Sequence, residues 1–470
     1  MSIEIEFVGA ARTVTGSKHL IRTSKATVLL DCGLFQGRRE EALRKNKTLD
    51  LDFEDIDAVV LSHAHIDHSG ALPLLYKKGY RGPVYMTFAT RDLCMPMLRD
   101  TAFILKSDAE HLDRLIAKGE KEIKKVEPLY EESDVEGVSA LFQGIAYRQP
   151  QEIAPGVTLT FLDAGHVLGS SVCVLDVEDQ GRHKRIAFTG DLGRKHIPIL
   201  KKPEVPENVN VLITESTYGD RLHNPIDETE EQLAQIIQET VARGGKVLIP
   251  SFALERAQEI VYTLKKLLKQ KRLKPIPVYV DSPLAVHLTD VFKQHLECCD
   301  PNEIKAWQED DSPFDFKGLF YVSTVEESKD IDRDPAPAII IAASGMCEGG
   351  RVLHHLIPII GDAKNTILIV GFQAEHTLGR KLVEKRAQVR IFGIPYVRKA
   401  EVKVLNGFSA HADQQGLLDF AEAVKDKGAL EHVVLVHGEP KSQEALANQL
   451  MRRGFPQVHI PASGGKLENI

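Results

Sequence analysis

Short runs of apolar, β-branched residues recur along the chain, each closed by glycine, proline or polar residues. They are ATVLLDCG (26–33), IDAVVLSH (56–63), GVTLTFLDAGH (156–166), KRIAFTGD (184–191), NVLITEST (210–217), GKVLIPSF (245–252), PVYVDSP (277–283), AIIIAASG (338–345), NTILIVGF (365–372) and HVVLVHGE (432–439). Near-continuous apolar character over so few residues predicts strands buried on both faces. Several runs precede segments of helical period, such as ALERAQEIVYTLKKLLKQ (253–270). Strands alternating with helices predict an α/β protein. Residues 100–147 contain the charged stretch AEHLDRLIAKGEKEIKKVEPL, which reads as a solvated helical excursion inserted between strands. The basic stretch LKKLLKQKRLKP (264–275) reads as a solvated helix end, with its cations favourably placed against the helix dipole.

Reactive side chains gather at one end of these runs. His63, His166, Asp191, Glu215, Ser251, Asp281, Ser344 and His437 all stand at or just beyond the carboxyl end of an expected strand. Open α/β sheets bind their ligands there.

Composition narrows the class. A length of 470 residues allows two or three domains with sizeable cores. The net charge of −8 argues against a general basic coat for nucleic acid, though not against a local positive groove. The N-terminal MSIEIEFVGAARTVTGS has no apolar signal core, and no run is long enough to span a membrane. Six cysteines without a CxxC do not make a disulfide scaffold, so Cys32, Cys94 and Cys173 are expected as core thiols of a reduced, cytoplasmic protein.

The densest chemistry is LSHAHIDHSG (61–70). His63 and His65 are two residues apart and can point the same way; Asp67 and His68 follow in a turn that opens a helix through SGALPLLYKKG. Two pairs of ligands can serve two neighbouring ions, and imidazole with carboxylate suits Zn²⁺ before Mn²⁺ or Fe. Closing the site needs donors from elsewhere: His166 between Gly165 and Gly169, Asp191 in FTGDLG, and His437 in LVHGEP.

HAHIDH, GHVLGS, TGDLG and Asp31 in LLDCG resemble the ordered motifs of the metallo-β-lactamase fold. That resemblance implies an αββα sandwich with a dinuclear zinc site on its rim. His63, His65 and His166 would hold one ion; Asp67, His68 and His437 the other; Asp191 would bridge both, and Asp31 would orient ligand histidines from behind. Further on, Glu215 in TESTYGDR, His411 in FSAHADQQG and His437 resemble motifs A, B and C of the β-CASP nucleases. SFALERAQEI, DSPLA and SGMCEGGR extend the likeness over nearly the whole chain. The closest resemblance is to bacterial and archaeal β-CASP ribonucleases related to the eukaryotic pre-mRNA cleavage and polyadenylation endonuclease. RNA-acting members carry histidine in motif C, where DNA-acting members typically carry valine, so His437 favours RNA.

The expected architecture is a metallo-β-lactamase domain of residues 1–205 and 398–470, with a β-CASP domain of 206–397 inserted as a lid over the cleft. The expected function is zinc-dependent, endonucleolytic hydrolysis of single-stranded RNA by a two-metal-activated hydroxide, leaving 5′-phosphate and 3′-hydroxyl ends. Asp67 would orient the nucleophile or take its proton, His411 would protonate the leaving oxygen, and Glu215 would fix the tautomer of His411 and raise its pKa. Free backbone N–H groups at Ser344, Gly345 and Met346 are candidates for cradling a phosphate, with Arg256 and Arg351 as further contacts. The chain reads as a catalytic core alone, so RNA affinity would come from the cleft, a homodimer or a partner. The rival readings are a DNA-processing nuclease, an ester or thioester hydrolase on the same fold, and a non-enzymatic RNA-binding subunit. An ester hydrolase would leave Glu215 and His411 without roles, and a binding subunit would not need every ligand position filled.

Overall fold

The computed structural model describes residues 3–37, 39–49, 51, 53–117, 125–195, 198–309, 312–371, 373–374, 376–468 and 470. The chain divides into two compact units, Met1–Leu222 with His411–Ile470, and His223–Ala410.

The first unit opens with β1 (Glu4–Gly9), β2 (Lys18–Arg22), β3 (Thr27–Leu30), β4 (Ala58–Val60), β5 (Val84–Thr87) and β6 (Phe142–Ile145). Then follow β7 (Gln151–Ala154), β8 (Val157–Asp163), β9 (Ser171–Asp179), β10 (Arg182–Phe188) and β11 (Val211–Glu215). The second unit supplies β12 (Val247–Pro250), β13 (Val278–Asp281), β14 (Leu319–Tyr321), β15 (Ile339–Ala342), β16 (Thr366–Ile369), the hairpin β17 (Gln388–Ile391) and β18 (Ile394–Val397), and β19 (Glu401–Val404). The chain then returns to the first unit with β20 (His432–Val436), β21 (Gln457–His459) and β22 (Gly465–Leu467).

Two sheets make the first unit, in the orders β22-β1-β2-β3-β4-β5-β6 and β21-β20-β11-β10-β9-β8-β7. Phe7, Ile21, Val28 and Val60 of the first meet Phe161, Leu175, Phe188, Val211 and Val434 of the second in one buried core. On the far face of the second sheet, Val174, Leu212 and Leu435 pack on Leu417, Val424, Leu446 and Leu450 of helices Gln414–Asp426 and Pro440–Arg452. Helix Phe88–Ala117 lies against β5 and β6 of the first sheet. This is an αββα sandwich, and burial on both faces is why the central strands read as unbroken apolar runs. Each of the ten runs contains a strand.

The segment expected as an excursion has a different part. β5 and β6 are parallel neighbours, and a parallel pair cannot be joined by a tight turn. Helices Phe88–Ala117 and Glu132–Ser139 are their crossover connection; residues 118–124 of the charged stretch lie outside the described residues. The basic stretch at 264–275 ends a helix, where Lys266 and Arg272 pair with Glu230 and Glu231. All six cysteines are buried free thiols. Among the described residues, no helix is long and apolar enough to cross a membrane.

The second unit is a parallel sheet, β14-β13-β15-β12-β16-β19, beside the β17-β18 hairpin. Asp281, fully buried at the end of β13, binds Arg351, Ser328 and His355. His355 is clamped between Asp281 (2.6 Å) and Asp332 (2.7 Å). Burial opposes its charge, but the hydrogen bonds to these two carboxylates outweigh it and lift its pKa to about 9. A folded-state pKa raised above the unfolded 6.5 means stabilisation that is complete below about 6.5 and lost as pH rises through 9. His355→Gln should therefore lower stability by about 3 kcal/mol at pH 6, with the gap shrinking towards pH 10. Thermal melts of both proteins across this range check it, and a gap that does not vary with pH would count against the clamp.

Candidate metal centre

The first unit brings the ligand candidates to one edge. β3 and β4 are parallel, so Asp31 and the HAHIDH segment leave the first sheet at the same end. β10, β11 and β20 are also parallel, and β8 shares their direction through two antiparallel pairings. His166, Asp191, Glu215 and His437 therefore emerge at one edge of the second sheet.

Local conformation aims each group. Helix Ile66–Ser69 starts within HAHIDH and carries Asp67 and His68. Asp31 adopts φ +58°, a left-handed conformation an aspartate tolerates, which turns its carboxylate back into the loop. There it accepts the Ser62 amide (2.8 Å) and the hydroxyls of Ser62 and Ser17 (3.1 Å each), and it binds His68 Nδ1 at 2.7 Å. The last contact fixes which ring nitrogen of His68 points inward. Gly169, at φ +78°, closes the His166 loop; a Cβ there would stand 2.6 Å from the Thr90 amide. His437 has φ +48°, and its amide is held by the Ala10 carbonyl at 2.7 Å.

The result is a buried cluster. His63, His65, His166 and Asp191 each offer a ligand atom within 4.8 Å of the others; so do Asp67, His68 and His437, and so do Asp191, Glu215 and His437. Asp191 faces both ways. Its Oδ2 is 3.5 Å from His63 Nε2 and from His166 Nε2, and its Oδ1 is 3.4 Å from His68 Nε2 and from His437 Nδ1. The donor set fits a cation. Asp191 Oδ1 is buried and makes no hydrogen bond. Imidazole nitrogens face each other at 3.1 Å (His63, His65) and 3.2 Å (His68, His437), which asks for a proton or a metal between them.

Environment splits the histidines into two electrostatic kinds. Burial drives His63 and His166 well below the ordinary imidazole range and His65 down to about 4, so all three are neutral and ready to donate lone pairs. For His68 burial is outweighed by Asp191 and Asp31, which push its pKa well up. For His411 it is outweighed by Glu215 and then Asp191, and its pKa reaches about 9. His411 Nδ1 lies 3.0 and 3.1 Å from the two oxygens of Glu215, whose Oε1 also accepts the Leu192 amide at 2.7 Å. Asp191 itself is held well below the carboxylate range: burial acts the other way, but His437, His68 and His411 prevail.

Three sets of matches place the chain. The description "Metallo-beta-lactamase superfamily" fits residues 14–251, "Beta-Casp domain" 257–382, and "Zn-dependent metallo-hydrolase RNA specificity domain" 395–461. The chain belongs to the β-CASP group of the metallo-β-lactamase superfamily. This β-CASP protein is similar to Ribonuclease TTHA0252 of Thermus thermophilus, 37% identical over 95% of both chains. It is 34% identical to transcription termination factor FttA of Methanocaldococcus jannaschii, over 98% of this chain and 70% of that one. An RNase J-like protein of the same archaeon is 32% identical over 98% of both chains. A crystal structure of a protein of unknown function from Enterococcus faecalis V583 covers 99% of the chain with a TM-score of 0.56 and 13% identity, a likeness of fold.

The remaining candidates are in the second unit, where both arginines and the Ser344 amide have internal partners, the amide bonding the Gly349 carbonyl at 3.0 Å. Arg256 is buried and pairs with Glu259; Arg351 binds Asp281 and the carbonyls of Val322 and Ser323. Ser344 Oγ accepts the amides of Glu348 and Gly349, the Met346 carbonyl accepts the Gly379 amide, and Gly345 lies under the ring of Phe252. Sequence reading missed the hydroxyls behind the ligands. Ser17 and Ser62 hold Asp31, Thr217 Oγ1 is 3.1 Å from His437 Nδ1, and Ser170 Oγ accepts the His166 amide at 3.0 Å. Ser62, Ser170 and Thr217 stand next to or within a few residues of a candidate ligand or motif residue, whereas Ser17 lies 14 residues from Asp31 and gave no local signal.

Stripping metal from this cluster leaves buried imidazoles and carboxylates without their counter-charge. Zinc at 100-fold above its dissociation constant should stabilise the folded chain by about 3 kcal/mol per site. Thermal melts with chelator and after zinc is restored, alongside elemental analysis, test this. Identical melts in both states would show that the cluster does not hold a metal.

Proposed function

We propose that the protein is a metal-dependent ribonuclease that cuts single-stranded RNA endonucleolytically at this cluster. The observation that carries the reading is the Glu215–His411 pair beside Asp191, because a lone metal-binding cluster gives no reason for a charged histidine held there by its own carboxylate. The match to an RNA specificity domain and the similarity to a ribonuclease over 95% of both chains favour RNA.

In this reading His63, His65, His166, Asp67, His68, His437 and Asp191 would hold the zinc. When bound, zinc supplies Lewis-acid chemistry, stabilising negative charge on phosphate oxygens and acidifying water. The chain's own groups supply the rest. Asp67, partly exposed, orients the attacking water and takes its proton. His411 is charged at neutral pH. Its Nδ1 proton is committed to Glu215, so the proton on Nε2 goes to the leaving 3′ oxygen. The phosphate stays on the 5′ oxygen of the downstream fragment, leaving 5′-phosphate and 3′-hydroxyl ends. Asp31 and Thr217 keep His68 and His437 in place throughout.

End-labelled single-stranded RNA, with DNA of the same sequence beside it, tests the proposal on a gel. Internal RNA cuts are expected, absent with Asp67→Ala. No RNA cleavage beyond that control would refute the reading, and cutting confined to the DNA lane would replace RNA with DNA as substrate. His411→Ala should retain its metal by elemental analysis yet lose about 10²–10⁴-fold in rate. Loss of metal in that variant would make His411 a ligand instead.

A further inference from the structure

One exposed aromatic of the first unit has an unusual mount. Phe88 follows β5 directly and opens helix Phe88–Ala117. Its side chain is 41% exposed, while Thr87, Ala89 and Thr90 around it are buried. A single exposed apolar side chain is ordinary on a protein surface. Three features set this one apart.

The first is its place. β5 is the parallel neighbour of β4, and the Leu61 amide bonds the Tyr85 carbonyl at 2.8 Å. That register sets Phe88 level with the HAHIDH segment, one strand across, at the sheet edge where the ligands gather. The second is rigidity. The hydroxyls of Thr87 and Thr90 both donate to the Gly169 carbonyl at 2.8 Å, and the Thr90 amide donates to Thr87 Oγ1 at 3.1 Å. The backbone that carries Phe88 is thus bolted to the loop that carries His166. The third is a bed for the ring. Gly144 in β6 lies against it, and a Cβ there would fall 2.4 Å from Phe88 Cδ1 and 2.6 Å from Cε1. Glycine inside a strand weakens the strand and marks a place where something must come close. Here that something is the Phe88 ring. One turn along the helix, the Arg91 guanidinium stands 5.4 Å from the ring centroid and is itself partly exposed.

We propose that Phe88, seated on Gly144 and flanked by Arg91, is a stacking platform for one nucleobase of the RNA strand bound at the metal centre. This rests on the ribonuclease reading above. A fixed aromatic face accepts any base, because every base has a π-face, and a neighbouring cation suits the adjoining phosphate. The platform would hold the strand in register beside the cutting site without choosing a sequence.

Steady-state cleavage of a single-stranded oligoribonucleotide by the metal-loaded full chain tests it. Phe88→Ala should raise KM about 5- to 100-fold, the range that loss of one base stack implies, with kcat far less affected. Phe88→Trp should keep a KM near that of the wild type, whereas Phe88→Leu, which keeps apolar area but has no π-face, should behave like the alanine variant. Gly144→Val, which displaces the ring, should raise KM similarly and add little in combination with Phe88→Ala. Substrates with one abasic nucleotide at successive positions give the sharpest reading. At one position the abasic substrate should erase the difference between wild type and Phe88→Ala. Wild-type cleavage with no KM change in Phe88→Ala, or a KM change insensitive to abasic sites at every position, would overturn the platform and leave the ribonuclease reading intact. No wild-type cleavage of any RNA would overturn both.

Discussion

The structure turns on one buried carboxylate. Asp191 is withdrawn from water and surrounded by the imidazoles of His63, His68, His166, His437 and His411 at 3.4–3.9 Å. A buried carboxylate without a partner costs several kcal/mol. Of these, His63 and His166 are neutral and offer lone pairs rather than donors, and Asp31, Asp67 and Glu215 add negative charge nearby. Such a cluster persists only with cations inside it. Protons can serve, as the raised pKa of His68 indicates, but divalent metal answers the donor geometry better.

The fold meets that constraint by making one edge do all the presenting. Parallel neighbours end on the same side, so groups hundreds of residues apart in sequence converge without long loops of their own. His68 and His437 stand 3.2 Å apart across a sequence separation of 369 residues. The apolar sandwich beneath keeps that edge stiff, since close-packed cores resist small displacements. Hydrogen bonds to Asp31, Ser170 and Thr217 then remove the remaining freedom of the candidate ligand side chains and loops.

How much of this could be read from the chain follows from where each signal is local. The central strands were legible because burial on both faces leaves an unbroken apolar run, as in β12 and β15. The short edge strands β14 and β22 bury little, and their sequences say little. HAHIDH was legible because four metal-capable groups crowd six positions. The partnership of Glu215 with His411 spans 196 residues and was visible only through resemblance to known motifs. Arg256 shows the opposite case: Glu259, three residues on along a helix, was a local sign that the guanidinium would be paired at home. The crossover helices after β5 misled because their charged surface resembles an insertion, while the pairing that makes them obligatory is a property of the sheet.

The same side chain performs two incompatible duties within a few ångströms here, and the separation is electrostatic. A ligand imidazole must be neutral, and an imidazole that protonates a leaving oxygen must be charged. His63, His65 and His166 are kept neutral chiefly by burial. For His411, 21% exposed, the hydrogen-bonded ion pair with Glu215 outweighs desolvation and reverses the outcome. Environments that push like groups apart in pKa are how one site assigns different roles to them. In the proposed mechanism Glu215 would both orient His411 and, by keeping it charged, hold it out of the ligand set.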